Sequence, residues 1–466
     1  MIHSKFIRLY QTLTTSEHRL LKQWVLSPIH NQRRDVIQLF DFVYSRASLT
    51  KITLQKERAF VYLFPKEKYD MYKINHVLSY AYKVLEEFIE YLEAVSLDIN
   101  RQKNKIKAYS KRNSIINAKK VVQKSKQQLL KNKHRSSAFF LHAYELEVHQ
   151  FELEGTNKRV QKNNLPDLLS NLSNFFVIST LRYAYIAASH SNVYKVNYEI
   201  PMLSAILEQA QQKVEVPIIQ LYYFAYMALT HLEEESYYFS LKECWEQYGA
   251  LLQKNERQEV LLIIINYAIK QAHSGNLSYI KEAFEWYQIG LSTTLLLNEG
   301  LLSQFAYKNI VALGLKLKAF DWIKSFIEQY TVSLPQEVQL TYKTYVSAKY
   351  FFEKSEYDTC LEYLTKVEYD DLFMNIDAKM MLLKIYYKNK SLDALEALIQ
   401  SFKIFLHRKE VMGYHKHNYL NILSFVKKII SLPDFEKTAK EKLYHDIAST
   451  KPLTEKQWLL DQLNES

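Results

Sequence analysis

Seven glycines and eight prolines in 466 residues constrain this chain more than any motif in it. Together they make up about 3% of the sequence, where about 12% is usual. Tight β-turns draw on glycine for positive φ and on proline for a preset φ, so a sheet of many hairpins has little turn material here. Helices need neither residue. The sequence predicts an all-α protein.

Hydrophobic residues make up 48% and charged residues 24%, the balance of a folded chain rather than a disordered one. The length suits two to four domains or one extended repeat array. The longest aliphatic run, Val260 to Ile265, ends at Asn266 and is far short of the roughly 20 apolar residues that span a bilayer. Met1-Ile2-His3-Ser4-Lys5-Phe6 lacks the apolar stretch of a secretory signal. The two cysteines, Cys244 and Cys360, are too few for a disulfide framework or a cysteine-rich zinc site. The expectation is a cytoplasmic protein with no membrane span.

Residues 1–100 read as short helices forming an N-terminal bundle. Thr14 and Glu17 have capping-box spacing, and Ser27-Pro28 ends the segment they open. Further apolar periodicity covers about Val36 to Tyr44, Leu54 to Leu63 and Met71 to Val95.

The net charge of +11 arises in the next segment, 101–200. Between Ile99 and Tyr144 stand 13 Lys or Arg and no Asp or Glu, leaving 48 basic residues elsewhere to face 50 acidic ones. Ile115, Ala118, Val122, Ser125 and Leu129 fall on one helical stripe, with Lys120, Lys124, Lys131 and Arg135 opposite. A second helix follows with Phe140, Tyr144, Val148 and Phe151 on one face, then a polar stretch from Gly155 to Asn164. Leu168 to about His190 is helical again.

A basic row without neighbouring acids cannot be neutralised by i, i+4 pairs. It attracts phosphates or an acidic protein surface. The candidate contacts are Lys111, Arg112, Lys119, Lys120, Lys124, Lys131 and Arg135. The ordinary alternative is a solvated helix face whose charges are met by acids from elsewhere in the fold.

Residues 201–466 read as a succession of helix pairs. Small residues at Ala348 and Cys360, large ones at Phe351 and Leu364, and Tyr357 between them make the clearest unit. Val311, Gly314, Phe320, Ile323 and Ile327 repeat the spacing 37 residues earlier. Leu383, Tyr386, Leu392, Leu395 and Ile399 repeat it 35 residues later. Pro335 falls between units. An earlier pair is suggested by Leu262 to Gln271, the turn at Gly275-Asn276 and Ile280 to Leu291, and a later one by Tyr414 through Pro433 to Ile447. Val311 to Phe402 resembles the tetratricopeptide-repeat family. The resemblance implies a right-handed helical-repeat solenoid of antiparallel helix pairs, in which small residues let helices approach and large ones fill the groove to the next pair. It also implies a surface that binds another protein.

Other candidate chemistry is thin. His415 and His417 stand two apart, which on a helix points them about 200° apart and prevents a shared metal ion. His142 and His149 are seven apart, too far for one ion. Glu233-Glu234-Glu235 and Asp370-Asp371 come with no glycine loop or histidine base and suit helix ends. The 36 tyrosines, Tyr345, Tyr357 and Tyr386 among them, suit packing seams better than base stacking. Glycine-dependent loops for phosphates, dinucleotides or a nucleophile elbow are missing. The expected function is a non-catalytic protein–protein interaction or scaffold protein without cofactor, metal or catalytic residues. Nucleic-acid association through 101–135 is the alternative, and pairing with a second copy through exposed terminal helices is open to any repeat array.

Overall fold

The computed structural model describes residues 1–96, 98–154, 163–194, 196–365, 371–408, 413–432 and 437–465. Among the described residues, twenty-three α-helices, two short 3-10 helices and one hairpin of two-residue strands, Leu297–Asn298 with Leu301–Leu302, make up the regular structure. The chain is all-α. The hairpin turns through Glu299 and Gly300, both at positive φ, as a two-residue turn between twisted strands requires. Of the expected features, the polar stretch from Gly155 to Lys162, Asp370 and Pro433 lie outside the described residues.

Contacts divide the chain into two compact units, Met1–Ile186 with Glu199–Tyr222, and Ala187–Tyr198 with Tyr223–Ser466. In the first unit, helices Lys5–Tyr10, Thr15–Leu26, Arg34–Tyr44 and Lys56–Leu63 pack around Met71–Ser96. The long helix supplies Ile74, Val77, Leu78, Ala81, Leu85 and Phe88, a 3-4 stripe buried throughout. The capping box opens Thr15–Leu26 as its spacing requires. The Thr14 amide donates to Glu17 Oε2 at 2.7 Å, and the Glu17 amide donates to Thr14 Oγ1 at 3.3 Å. Helices Asp98–Lys111, Ile115–Lys131 and Ser137–Glu154 follow as three mutually packed neighbours around Ile106, Val122 and Leu146.

In the second unit, helices that are neighbours in sequence are neighbours in space from Glu235–Tyr248 to Leu392–Arg408. Three pairs stand out: Gln304–Lys316 with Phe320–Tyr330, Gln339–Glu353 with Tyr357–Leu364, and Leu372–Lys388 with Leu392–Arg408. Each first helix ends on one residue in the left-handed region, Lys318, Ser355 and Lys390 in turn. The following amide reaches back five residues: Ala319 to the Gly314 carbonyl, Glu356 to Phe351 and Ser391 to Tyr386, at 2.9–3.0 Å. The left-handed residue itself donates to Leu315, Phe352 and Tyr387 respectively. This is a Schellman cap, which satisfies carbonyls that a helix end otherwise leaves unpaired. Asn113 and Gly275 close Asp98–Lys111 and Lys254–His273 in the same way.

The small residues sit where helices approach. Ala348 and Cys360 are fully buried. A Cβ on Gly314 would collide with Ile323 and come within 2.9 Å of the Phe284 ring. Leu364 and Leu395 are buried, and Phe320, Phe351, Tyr357 and Tyr386 are half-buried. Tyrosine hydroxyls join successive pairs. Tyr342 donates to Gln304 Oε1 at 2.8 Å, and Tyr345 donates to Asp377, which Lys349 also holds at 2.7 Å. Burial opposes the charge on Asp377, yet Lys349 and Tyr345 keep its carboxyl below the ordinary range.

Two stability outcomes are expected. A lysine or serine in the left-handed region is strained by about 1 kcal/mol, so Lys318→Gly, Ser355→Gly and Lys390→Gly should each raise the urea-unfolding free energy by about 0.5–1 kcal/mol. Gly314→Val overfills the contact with Ile323 and Phe284 and should lower it by about 1–3 kcal/mol. A midpoint unchanged by Gly314→Val would contradict the close approach.

Candidate interaction surfaces

The sequence concentrates positive charge in 101–135, and the fold turns that segment into a helical hairpin. Asp98–Lys111 and Ile115–Lys131 run antiparallel through the Asn113 turn, with Ser137–Glu154 packed against both. Ala118, Val122 and Ser125 face the core as the stripe predicts. Ile115, at the first position of its helix, stays 39% exposed, and Leu129 is half-buried. On Ser137–Glu154 the most deeply buried side chains are Leu146, Phe140 and Glu147. Tyr144, Val148 and Phe151, expected beside Phe140 on an apolar face, are half-buried.

Three of the 13 basic residues meet a carboxylate or a ring on Ser137–Glu154. Lys126 meets the buried carboxylate of Glu147 at 2.5 Å and donates to Gln150 Oε1 at 2.6 Å. Asn164 Nδ2 donates to the same carboxylate at 2.7 Å and to the Glu147 carbonyl at 2.8 Å. Lys103 pairs with Glu145 at 2.7 Å. Burial opposes ionisation of Glu145, but Lys103 and His142 hold its carboxyl below the ordinary range. Arg135 lies over the Phe139 ring at 4.3 Å and donates to the carbonyls of Leu130 and His134, closing the end of Ile115–Lys131.

The other ten, Arg101, Lys105, Lys107, Lys111, Arg112, Lys119, Lys120, Lys124, Lys131 and Lys133, are exposed and form no ion pair among the described residues. Six of them are candidate contacts from the sequence. Lys120, Lys124 and Lys131 share the outward stripe of Ile115–Lys131, diametrically opposite Ala118 and Val122. The same outward side carries Ile116, 74% exposed, and Leu130, 66% exposed. Neither belongs to the basic pattern that marks the segment in the sequence. Each stands one residue off the buried stripe, which is a signal the helical wheel holds.

A cleft of about 400 Å³ separates Asp98–Lys111 from Ser137–Glu154, lined by Asn100, Lys103, Lys107, Tyr144, Glu145 and His149 among others. The Lys103–Glu145 pair gives it both signs of charge. The second unit has a different exposed feature. Each of the three pairs opens its first helix with an exposed apolar side chain at the second position, Phe305, Leu340 and Phe373. Lys308 lies 5.7 Å from the Phe305 ring and 3.9 Å from Asp371.

Groups considered for catalysis have other work. Burial pushes the Cys244 thiol up to about 11 and the Cys360 thiol up to about 12, so both are protonated at neutral pH and are poor nucleophiles. Asp371 caps Leu372–Lys388, accepting from the Met374 amide at 2.8 Å. Glu235 opens Glu235–Tyr248. His142 pairs with Glu145, His149 pairs with Glu152, and His415 meets the Phe373 ring edge. Among the described residues no three His, Cys, Asp or Glu side chains converge as metal ligands, and no helix is long and apolar enough to cross a membrane. No protein-family model matches the chain, and comparison with curated proteins and with solved structures gives no match.

The Lys126–Glu147 pair separates structural from surface lysines. Lys126→Ala strands a buried carboxylate and should cost about 2–3 kcal/mol, less than the ~3–5 of a fully enclosed pair because Lys126 keeps some solvent. Lys124→Ala should stay within about 0.5 kcal/mol of the parent. Equal urea midpoints for the two variants would contradict this assignment.

Proposed function

We propose that the chain is a non-catalytic protein–protein interaction or scaffold protein. Its C-terminal half is read as a right-handed, tetratricopeptide-like solenoid whose surface receives the partner. One observation carries the reading. The same Schellman-capped helix pair recurs three times, its left-handed residues at positions 318, 355 and 390, and an exposed apolar side chain opens every pair. Stacked pairs of this kind build a long continuous face, on which affinity comes from many modest contacts rather than from one reactive group. Phe305, Leu340 and Phe373 are the side chains on which this reading places most of the binding energy, since exposed apolar groups gain most from being covered.

Nucleic-acid association through 101–135 is the second reading, supported by the ten exposed basic side chains that have no ion-pair partner among the described residues. Contacts made by charge alone weaken steeply as salt rises.

The test of the first reading is capture at physiological salt, comparing the parent chain with a Phe305→Glu, Leu340→Glu, Phe373→Glu variant of unchanged circular dichroism. Proteins recovered reproducibly by the parent should fall about tenfold or more on the variant, the effect of removing apolar anchors worth ~1.5–3 kcal/mol each. Recovery of the same proteins by both, or of none by either, overturns it.

A further inference from the structure

We propose that the outward face of the Asp98–Lys131 hairpin docks an acidic amphipathic helix from a partner protein. The inference shares with the reading above only the premise that the chain binds macromolecules. It does not depend on Phe305, Leu340 or Phe373.

The hairpin keeps nine exposed basic side chains without an ion pair among the described residues, and Lys133 just beyond it is a tenth. The nearest acids are already committed: Glu145 to Lys103 and His142, Glu147 to Lys126 and Asn164. Asp98, at the start of the hairpin, meets Gln102 and Gln128. A field of one sign therefore stands over the hairpin, and only an anionic partner complements it.

The apolar residues choose between classes of anion. Ile116 and Leu130 are large, exposed and on the same side as Lys120, Lys124 and Lys131. They are fourteen positions apart, which on a helix is close to four turns, or about 21 Å. Between them the outward stripe is wholly polar: Lys120, Gln123, Lys124, Gln127. A nucleic-acid backbone has nothing to cover two apolar ends with, and single strands need aromatic platforms for their bases. From Asp98 to Arg135 the only aromatic residues are Tyr109, half-buried, and His134, also half-buried. A helix fits the pattern in both respects. Its acidic side chains, at i, i+4 and i+11, face the lysines, and apolar residues near its two ends, about four turns apart, cover Ile116 and Leu130.

The hairpin is also rigid enough to present this face unchanged. The Schellman turn at Asn113 fixes the reversal, and the Lys126–Glu147 pair with Asn164 holds the second helix against Ser137–Glu154. Little ordering of the hairpin is needed on binding, so its lysines act as one surface.

The experiment is fluorescence anisotropy on the full chain with four labelled probes. They are a helix-forming acidic amphipathic peptide with apolar residues fourteen apart, a scrambled peptide of the same composition, a DNA duplex and a single-stranded RNA. At about 0.15 M salt the amphipathic peptide should bind about tenfold or more tighter than its scrambled form, because only it buries Ile116 and Leu130 together. Ile116→Ser with Leu130→Ser should erase that difference and leave the scrambled peptide unaffected. Lys120→Glu, Lys124→Glu and Lys131→Glu together should abolish binding of both peptides, and the milder glutamine triple should weaken it with an unchanged melting curve. Oligonucleotides binding as tightly as the amphipathic peptide would make the hairpin a nucleic-acid site and overturn the proposal. Equal affinity for the two peptides, or no affinity for any probe, would overturn it as well. A Phe305→Glu, Leu340→Glu, Phe373→Glu variant should bind the peptide like the parent, so failure here and failure of the solenoid reading are told apart.

Discussion

Reversing an α-helix within two or three residues requires one residue on the left-handed side of φ space, and the rest of this structure depends on how that is met. Glycine is the residue that enters this region without strain. Among the described residues glycine serves one of five Schellman turns, at Gly275, and Asn113, Lys318, Ser355 and Lys390 serve the others. Each of those four turns is held in a sparsely populated conformation by its neighbours: two backbone hydrogen bonds close it, and the helix that follows packs back on the one before. Local propensity thus yields to tertiary packing at the points that define the fold. The turns persist because the pairs pack, and the pairs pack because small residues such as Gly314, Ala348 and Cys360 let the helices meet.

Tyrosine does complementary work between helices. A seam filled by leucine alone would be apolar along its whole length and would specify register weakly. Tyr342 and Tyr345 bury their rings and carry a hydroxyl to one acceptor on the neighbouring pair, Gln304 on one side and Asp377 on the other. Elsewhere Tyr307 reaches Thr331, and Tyr238 stacks on Tyr267 while donating to Glu282. Burial pushes the Tyr307 phenol up to about 12 and raises Tyr238 further, with the Glu282 charge adding to the effect. These hydroxyls stay protonated donors across the physiological range. Each bond contributes only about 1 kcal/mol, but its geometry is directional, so it discriminates against a slipped pair.

The legible part of this fold is the part written at short range. Scarce glycine and proline gave the helical class, the Thr14–Glu17 spacing gave a cap that forms as written, and the 3-4 stripe of Ala118, Val122 and Ser125 gave the buried side of a helix. The face expected from Phe140, Tyr144, Val148 and Phe151 was less legible. Ser137–Glu154 is approached by two helices, so burial centres on Leu146 and Glu147, and a buried glutamate is invisible to a hydrophobic pattern. The left-handed turns at Lys318, Ser355 and Lys390 were equally hidden, since lysine carries no turn signal and serine only a weak one that does not point to the left-handed region.

Within the basic segment the same contrast decides what the surface is. Counting charge along the sequence treats all 13 lysines and arginines alike. Folding removes Lys103, Lys126 and Arg135 from that count, because each finds a carboxylate or a ring on Ser137–Glu154. The Lys126–Glu147 pair costs desolvation on both sides and adds little stability over an apolar pair. Together with the buried stripe of Ala118, Val122 and Ser125, it sets the rotation of Ile115–Lys131 about its own axis. That rotation determines which residues point outward, and it sets Ile116 and Leu130 beside Lys120, Lys124 and Lys131 rather than beneath them. A different rotation would bury the two apolar side chains and leave only charge, a surface without preference among polyanions. For the proposed acidic helical partner, the internal ion pair and the buried stripe thus act through geometry, by setting which side chains share the outward face.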